Sequence, residues 1–124
     1  MSGGIREELH MLAALIGRFR IDLSNEKAAQ VDIENILKSE DGLKFEREAR
    51  LGPVDIPDFM VNDHIVIEVK LRSTTRRNIQ RQMERYAAYR KVHGLMLVSN
   101  TAMAQGGEIG GKPYQFVSLG AAWL

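Results

Sequence analysis

Apolar positions follow two rhythms along the chain, one helical and one alternating. Ile5, Leu9, Leu12, Ala13 and Ile16 recur at helical spacing, predicting an amphipathic helix from Ile5 to about Phe19. "IDLSNEKAAQ" then offers Ser24 or Asn25 as the N-cap of a second helix running through Leu37 and closed before Gly42. Glu26, Gln30, Ile33 and Leu37 stand at i, i+4, i+7 and i+11, so Glu26 and Gln30 are in line with the stripe facing the sheet. Glu34 falls with Lys27, Val31 and Lys38 and should meet water. From Leu43 to Leu51 the rhythm changes to alternation, with Phe45, Ala49 and Leu51 on one side, predicting a half-solvated strand.

After Gly52-Pro53, residues 58–61 and 65–71 read as two strands joined by a three-residue turn, Asn62 to His64. A long helix follows, capped by Ser73, Thr74 or Thr75 and stopped at Gly94, with Ile79, Met83, Tyr86 and Arg90 on its inward stripe. "LMLVSN" reads as a buried strand, "AMAQGGEIGGKP" as a Gly-rich loop and "YQFVSL" as the last strand. The order α, α, β, β, β, α, β, β predicts an α/β protein, a small mixed β-sheet flanked by helices. A single domain over 1–124 is expected, with a helical extension (1–21), a core (24–100) and a terminal loop and strand (101–124).

Composition narrows the function. The 124 residues, 44% hydrophobic and 27% charged, suffice for one core without staples, and no apolar run approaches the ~18 residues of a membrane span. No membrane partner is therefore expected. The first residues, "MSGGIREELH", lack a signal-peptide pattern. The absence of cysteine excludes disulfides, zinc knuckles and cysteine-ligated clusters, and makes a cytoplasmic location the expectation. A net charge of +1 hides an asymmetry. Between Arg72 and Lys91 there are seven basic residues and one acid, Glu84, a local +6 that points to an anionic partner.

The hairpin carries the chemistry. Alternation sends Ile65, Ile67, Val69 and Leu71 to one face and Val66, Glu68 and Lys70 to the other. A three-residue turn pairs Val61 with Ile65 and Phe59 with Ile67, which sets Asp58 opposite Glu68, their Cβ atoms about 4.5–5.5 Å apart. Two carboxylates this close repel unless a cation lies between them. Hard oxygen ligands suit Mg²⁺ or Mn²⁺, and Lys70 is placed to orient or deprotonate an attacking water. The alternative is a surface hairpin whose Glu and Lys are solvated or paired. Asp55, the other aspartate of "DIPDF", is expected in the lead-in loop.

Pro57-Asp58 followed by Glu68-Val69-Lys70 at the end of an apolar strand resembles the motif of the PD-(D/E)XK nucleases, and the α-β-β-β-α-β order from about Ser24 to Asn100 is similar to their restriction-endonuclease-like core. The resemblance implies metal binding by Asp58, Glu68 and the Val69 carbonyl, with Lys70 assisting the water. Gln82 and Tyr86, four apart on one helix face, resemble the Gln-x-x-x-Tyr signature of the exonuclease and recombination-repair branch, where such residues sit at the active-site edge. The other reading is a core Tyr beside a solvated Gln. Glu26 with Gln30 resembles the start of virus-type replication-repair nuclease domains, which implies an added metal-shell acid. Favourable placement at a helix N-terminus is the alternative for Glu26. Arg72, Arg76, Arg77, Arg81 and Arg85 are candidates for phosphate contacts, or a solvated helix face.

The expected function is Mg²⁺- or Mn²⁺-dependent hydrolysis of DNA phosphodiesters. Its rivals are a structure-selective endonuclease of the Holliday-junction-resolvase kind and a non-catalytic nucleic-acid-binding module. A homodimer or higher homo-oligomer is the expected assembly, with Ile5 to Phe19 or the terminal "AAWL" as candidates for its interface. "GGEIGGK" lacks the P-loop spacing and a Ser or Thr after Lys112. The histidines show no metal-ligand spacing, His64 reads as a turn residue, and the methionines read as core filler.

Overall fold

The computed structural model describes residues 4–71 and 75–120. Within them three helices and a six-stranded mixed, open sheet form an α/β protein. Helix α1 spans Gly4–Gly17 and α2 spans Glu26–Lys38. Of the two candidate caps, Asn25 holds α2: its side chain accepts from the Ala28 N–H at 2.8 Å. Strands β1 (Phe45–Arg47), β2 (Phe59–Val61) and β3 (Ile65–Lys70) precede α3 (Arg76–Ala87), which Thr75 caps through Asn78 N–H. Ser73 and Thr74, the other candidates, lie outside the described residues. Strands β4 (Gly94–Ser99), β5 (Gly106–Ile109) and β6 (Lys112–Ser118) complete the sheet in the order β1-β2-β3-β4-β6-β5. β3, β4 and β6 are mutually parallel neighbours, while the other pairs are antiparallel.

The hairpin has the expected register, Phe59 against Ile67 and Val61 against Ile65. Asn62 and Asp63 both adopt left-handed backbone (φ 51° and 64°), a conformation these two residue types tolerate better than most. His64 ends the turn and ties it to α1 through Glu8 at 2.9 Å, while its ring stacks on His93.

Both faces of the sheet are buried along its central strands β2, β3 and β4. Odd positions of β2 and β3, with Met96, Val98 and Val117, pack under α1 and α2. Even positions Met60 and Val66, with Leu95, Leu97, Tyr114 and Phe116, pack under Ile79, Met83 and Tyr86 of α3. The face that carries Glu68 is therefore an interior, which alternation alone did not disclose.

Several local expectations are corrected. The strand read over Leu43 to Leu51 is only Phe45–Arg47, because Glu48 turns left-handed (φ 50°) and sends Ala49 to the α3 side, opposite Phe45. Glu34 is half-buried beneath Arg47, with Arg47 Nη1 donating to its Oε1 at 3.0 Å. Helix α3 ends at Ala87, short of Arg90, because the chain tightens into turn-type bonds such as Tyr89 N–H to Tyr86 C=O. Lys112 stabilises that turn by donating to the Tyr89 carbonyl at 2.7 Å.

The Gly-rich loop contains β5, joined to β6 by Gly110 and Gly111. Their φ values of 59° and 79° are those of a two-residue type I′ hairpin. A Cβ on Gly110 would lie 2.8 Å from Ala87 Cβ, so backbone and packing both demand glycine there. Gly110→Ala is expected to cost about 1–2 kcal/mol in urea unfolding, whereas Gly111→Asn, facing open space, should be nearly neutral.

Candidate active site

At the C-terminal end of β3 the hairpin register meets the two flanking helices. Continued two residues beyond Phe59↔Ile67, it sets Pro57 against Val69. Proline has no N–H to give to the Val69 carbonyl, so the ladder ends there. The Val69 N–H is taken instead by Asp58 Oδ2 at 2.8 Å. A strand residue's N–H and C=O project to the same side, so the Val69 carbonyl also turns toward the β2 side, opposite Pro57. One residue pair further along, Glu26 Oε2 reaches across from the start of α2 and accepts the Leu71 N–H at 3.1 Å. Side-chain carboxylates thus stand where a strand partner has stopped.

Glu68 is the most enclosed of these acids, 3% exposed. Its Oε1 accepts from the Asp58 N–H and from the Tyr86 hydroxyl, each at 3.2 Å, and its Oε2 lies 3.2 Å from Lys70 Nζ. Burial is the largest cause raising the Glu68 carboxyl above the ordinary range, and the Asp58 charge adds to it, while Lys70 opposes. Burial likewise raises Asp58, against the pull of the Val69 N–H, Lys70 and Arg47. Tyr86 is pushed well above its usual value by burial and by the Glu68 charge, so it remains a hydroxyl donor.

The sequence-predicted residues are not all brought together. Asp58, Glu68, Val69, Lys70, Tyr86 and Glu26 come together at this sheet end. Gln82 lies half-buried one turn before Tyr86 on α3 and makes no hydrogen bond among the described residues. Arg76, Arg77 and Arg81 are exposed on α3 with no ion pair among the described residues, and the first two line an open groove of about 460 Å³ against Ala102, Met103 and Ala104. Arg85 is differently occupied: its Nε donates to Asp55 at 3.0 Å, and Asp55, only 6% exposed, also accepts from the Tyr89 hydroxyl at 2.8 Å. Arg72 lies outside the described residues.

Arg47 escaped the sequence reading. Its guanidinium lies 5.3 Å over the Phe59 ring and donates to Gln30 and Glu34, linking β1 to α2 behind the hairpin. It is a third odd-numbered position on the Phe45 face, and that parity was the available signal. The chain matches none of the family models, curated proteins or solved structures with which it was compared.

The donor set fits a hard divalent cation. Among the described residues no three acidic or histidine side chains form a ready cage, but Mg²⁺ and Mn²⁺ take one or two carboxylates and keep water. Asp58, Glu68 and the Val69 carbonyl would supply the protein oxygens, with Glu26 beside them.

Because both carboxyls are raised, the folded protein holds protons that the unfolded chain has released above about pH 4. This pair's contribution to cation-free stability therefore falls as pH rises from there toward neutrality, and levels off once both are ionised. Asp58→Asn keeps an oxygen for the Val69 N–H but loses the charge. In EDTA at about pH 8 it should be more stable than the wild type by on the order of 1–2 kcal/mol, roughly 4–8 °C in Tm, the gap closing near about pH 4. A destabilised variant at pH 8 would mean that Asp58 serves the fold.

Proposed function

We propose that this protein is a metal-dependent nuclease that hydrolyses DNA phosphodiesters, built on a restriction-endonuclease-like α/β core. One observation carries the reading: Asp58 and Glu68 are juxtaposed at an enclosed sheet end, where their mutual charge is unfavourable. A structural role would be served as well by Asn at 58, which could accept the Val69 N–H without repelling Glu68. Retaining both charges makes sense if a cation completes the site. The resemblance of Pro57-Asp58 and Glu68-Val69-Lys70 to the PD-(D/E)XK motif supports the same conclusion.

Each group has a distinct role. Asp58, Glu68 and the Val69 carbonyl would hold Mg²⁺ or Mn²⁺, and Glu26 would hold water at its edge. The cation, when bound, supplies electrostatic stabilisation of the charge that develops on a phosphodiester under attack. Lys70, tethered by Glu68, presents its ammonium to the attacking water or to a non-bridging oxygen. Tyr86 fixes the Glu68 carboxylate, and Gln82, one turn before it on α3, would meet the substrate at the edge of the site. Arg76, Arg77 and Arg81 are available to phosphates, whereas Arg85 secures the lead-in loop through Asp55.

A pure nucleic-acid-binding module has no use for a costly carboxylate pair, so the reading rests on cleavage. Linear, circular, single-stranded and branched DNA should be incubated with Mg²⁺, Mn²⁺ or EDTA; the branched arm detects junction selectivity. Cleavage of at least one substrate, lost in EDTA, is expected. Asp58→Asn and Glu68→Gln should each lower it at least about 10³-fold while DNA affinity persists. Asp55→Asn should instead lose about 1.5–3 kcal/mol of stability, by weakening a charged hydrogen bond, and keep activity in the folded fraction. Arg77→Ala with Arg81→Ala should weaken binding across sequences and reduce the salt slope by roughly 2. Full activity in both Asp58→Asn and Glu68→Gln would overturn the proposal.

A further inference from the structure

Helix α1 buries Leu9, Leu12, Leu15 and Ile16 against the sheet and α2 side and leaves a second stripe uncovered. Glu7, Met11 and Ala14 of α1, and Arg18 in the turn that follows it, are all exposed, Met11 by 71%. Met11 is thus not the core filler its residue type suggests. The spacings along the stripe are four, three and four, the seam spacing of two packed helices. Glu7 and Arg18 have no ion-pair partner among the described residues.

The order of these residues is palindromic in chemistry. Turned end for end about a point between Leu12 and Ala13, the stripe sets Glu7 on Arg18 and Met11 on Ala14. A two-fold interface requires this property, since residue i of one copy meets j of the other and j meets i. The stripe forms one wall of an apolar groove of about 430 Å³ between α1 and the turn after α2, in which Met11 and Ala14 stand beside Leu12, Leu15 and Leu43. Arg18 and Glu40 stand at its rim.

We propose that α1 is the interface of a two-fold symmetric homodimer, packing antiparallel on its own copy. Met11 enters the partner's groove, and Glu7 meets the partner's Arg18 at both ends. A second copy is favoured over an unrelated helix because the charge order is self-complementary. The seam is short, as α1 is 14 residues and about 21 Å long, so association is expected with a Kd on the order of 10 μM.

Sedimentation equilibrium of the full chain from about 1 to 200 μM tests this. The wild type should pass from monomer to twice the chain mass. Glu7→Arg places like charges at both ends and should weaken the dimer at least about tenfold. Glu7→Arg combined with Arg18→Glu restores opposite charges and should return the Kd to within about threefold of the wild type. Met11→Lys should be monomeric throughout, with an unchanged circular dichroism spectrum. A wild type that stays monomeric, a dimer indifferent to Glu7→Arg and Met11→Lys, or failure of the double charge reversal to restore association would each overturn the proposal.

Discussion

Register in the β2–β3 hairpin is the constraint from which the rest follows. Three turn residues, two of them left-handed, fix Phe59 against Ile67. A slip of one residue would carry Glu68 and Lys70 under α1 and α2 and bring Val69 to the α3 side. In the observed register Asp58 meets Glu68, and Pro57 stops the ladder beside Val69. The turn therefore sets which carboxylates converge and which backbone groups they replace.

Helix α3 then raises the electrostatic stakes. By covering the sheet face that carries Met60, Val66 and Leu97 it encloses Glu68, and it brings Tyr86 onto one carboxylate oxygen while Lys70 holds the other. Low solvent exposure penalises both acids in their charged form, and their proximity adds to the penalty for Glu68. Such a site gives up stability; under the proposed function its charge arrangement would serve a bound cation, a trade-off between activity and stability. Arg47, wedged between Phe59 and α2, works in the opposite direction and favours ionised Asp58.

Features governed by local rules were legible in the sequence. Alternation and a plausible turn yielded the hairpin register, the helical phase of Glu26 against Ile33 and Leu37 brought it to the sheet end, and the i, i+4 spacing placed Gln82 beside Tyr86. Tertiary features were not. Nothing around Glu68 signals that α3 will cover its face, because Val66 is its only apolar companion in β3. Asp55 reads as a loop residue until Arg85 and Tyr89 close over it. The Gly106–Ile109 strand is masked by glycines that erase alternation, although Gly110-Gly111 ahead of "KPYQFVS" is itself a hairpin signal. The left-handed Glu48, which moves Ala49 across the sheet, has no residue-type marker at all.

Calorimetric titration of the protein with Mn²⁺ near pH 6.5, repeated in buffers of different ionisation enthalpy, tests most directly that Asp58 and Glu68 await a cation. Ligand carboxylates must be ionised to bind metal. Saturable binding accompanied by proton release is expected, the release fading above about pH 8 as both acids become ionised beforehand, with loss of binding in Glu68→Gln. Absence of Mn²⁺ binding, or binding of equal strength in Glu68→Gln with no proton release, would contradict it.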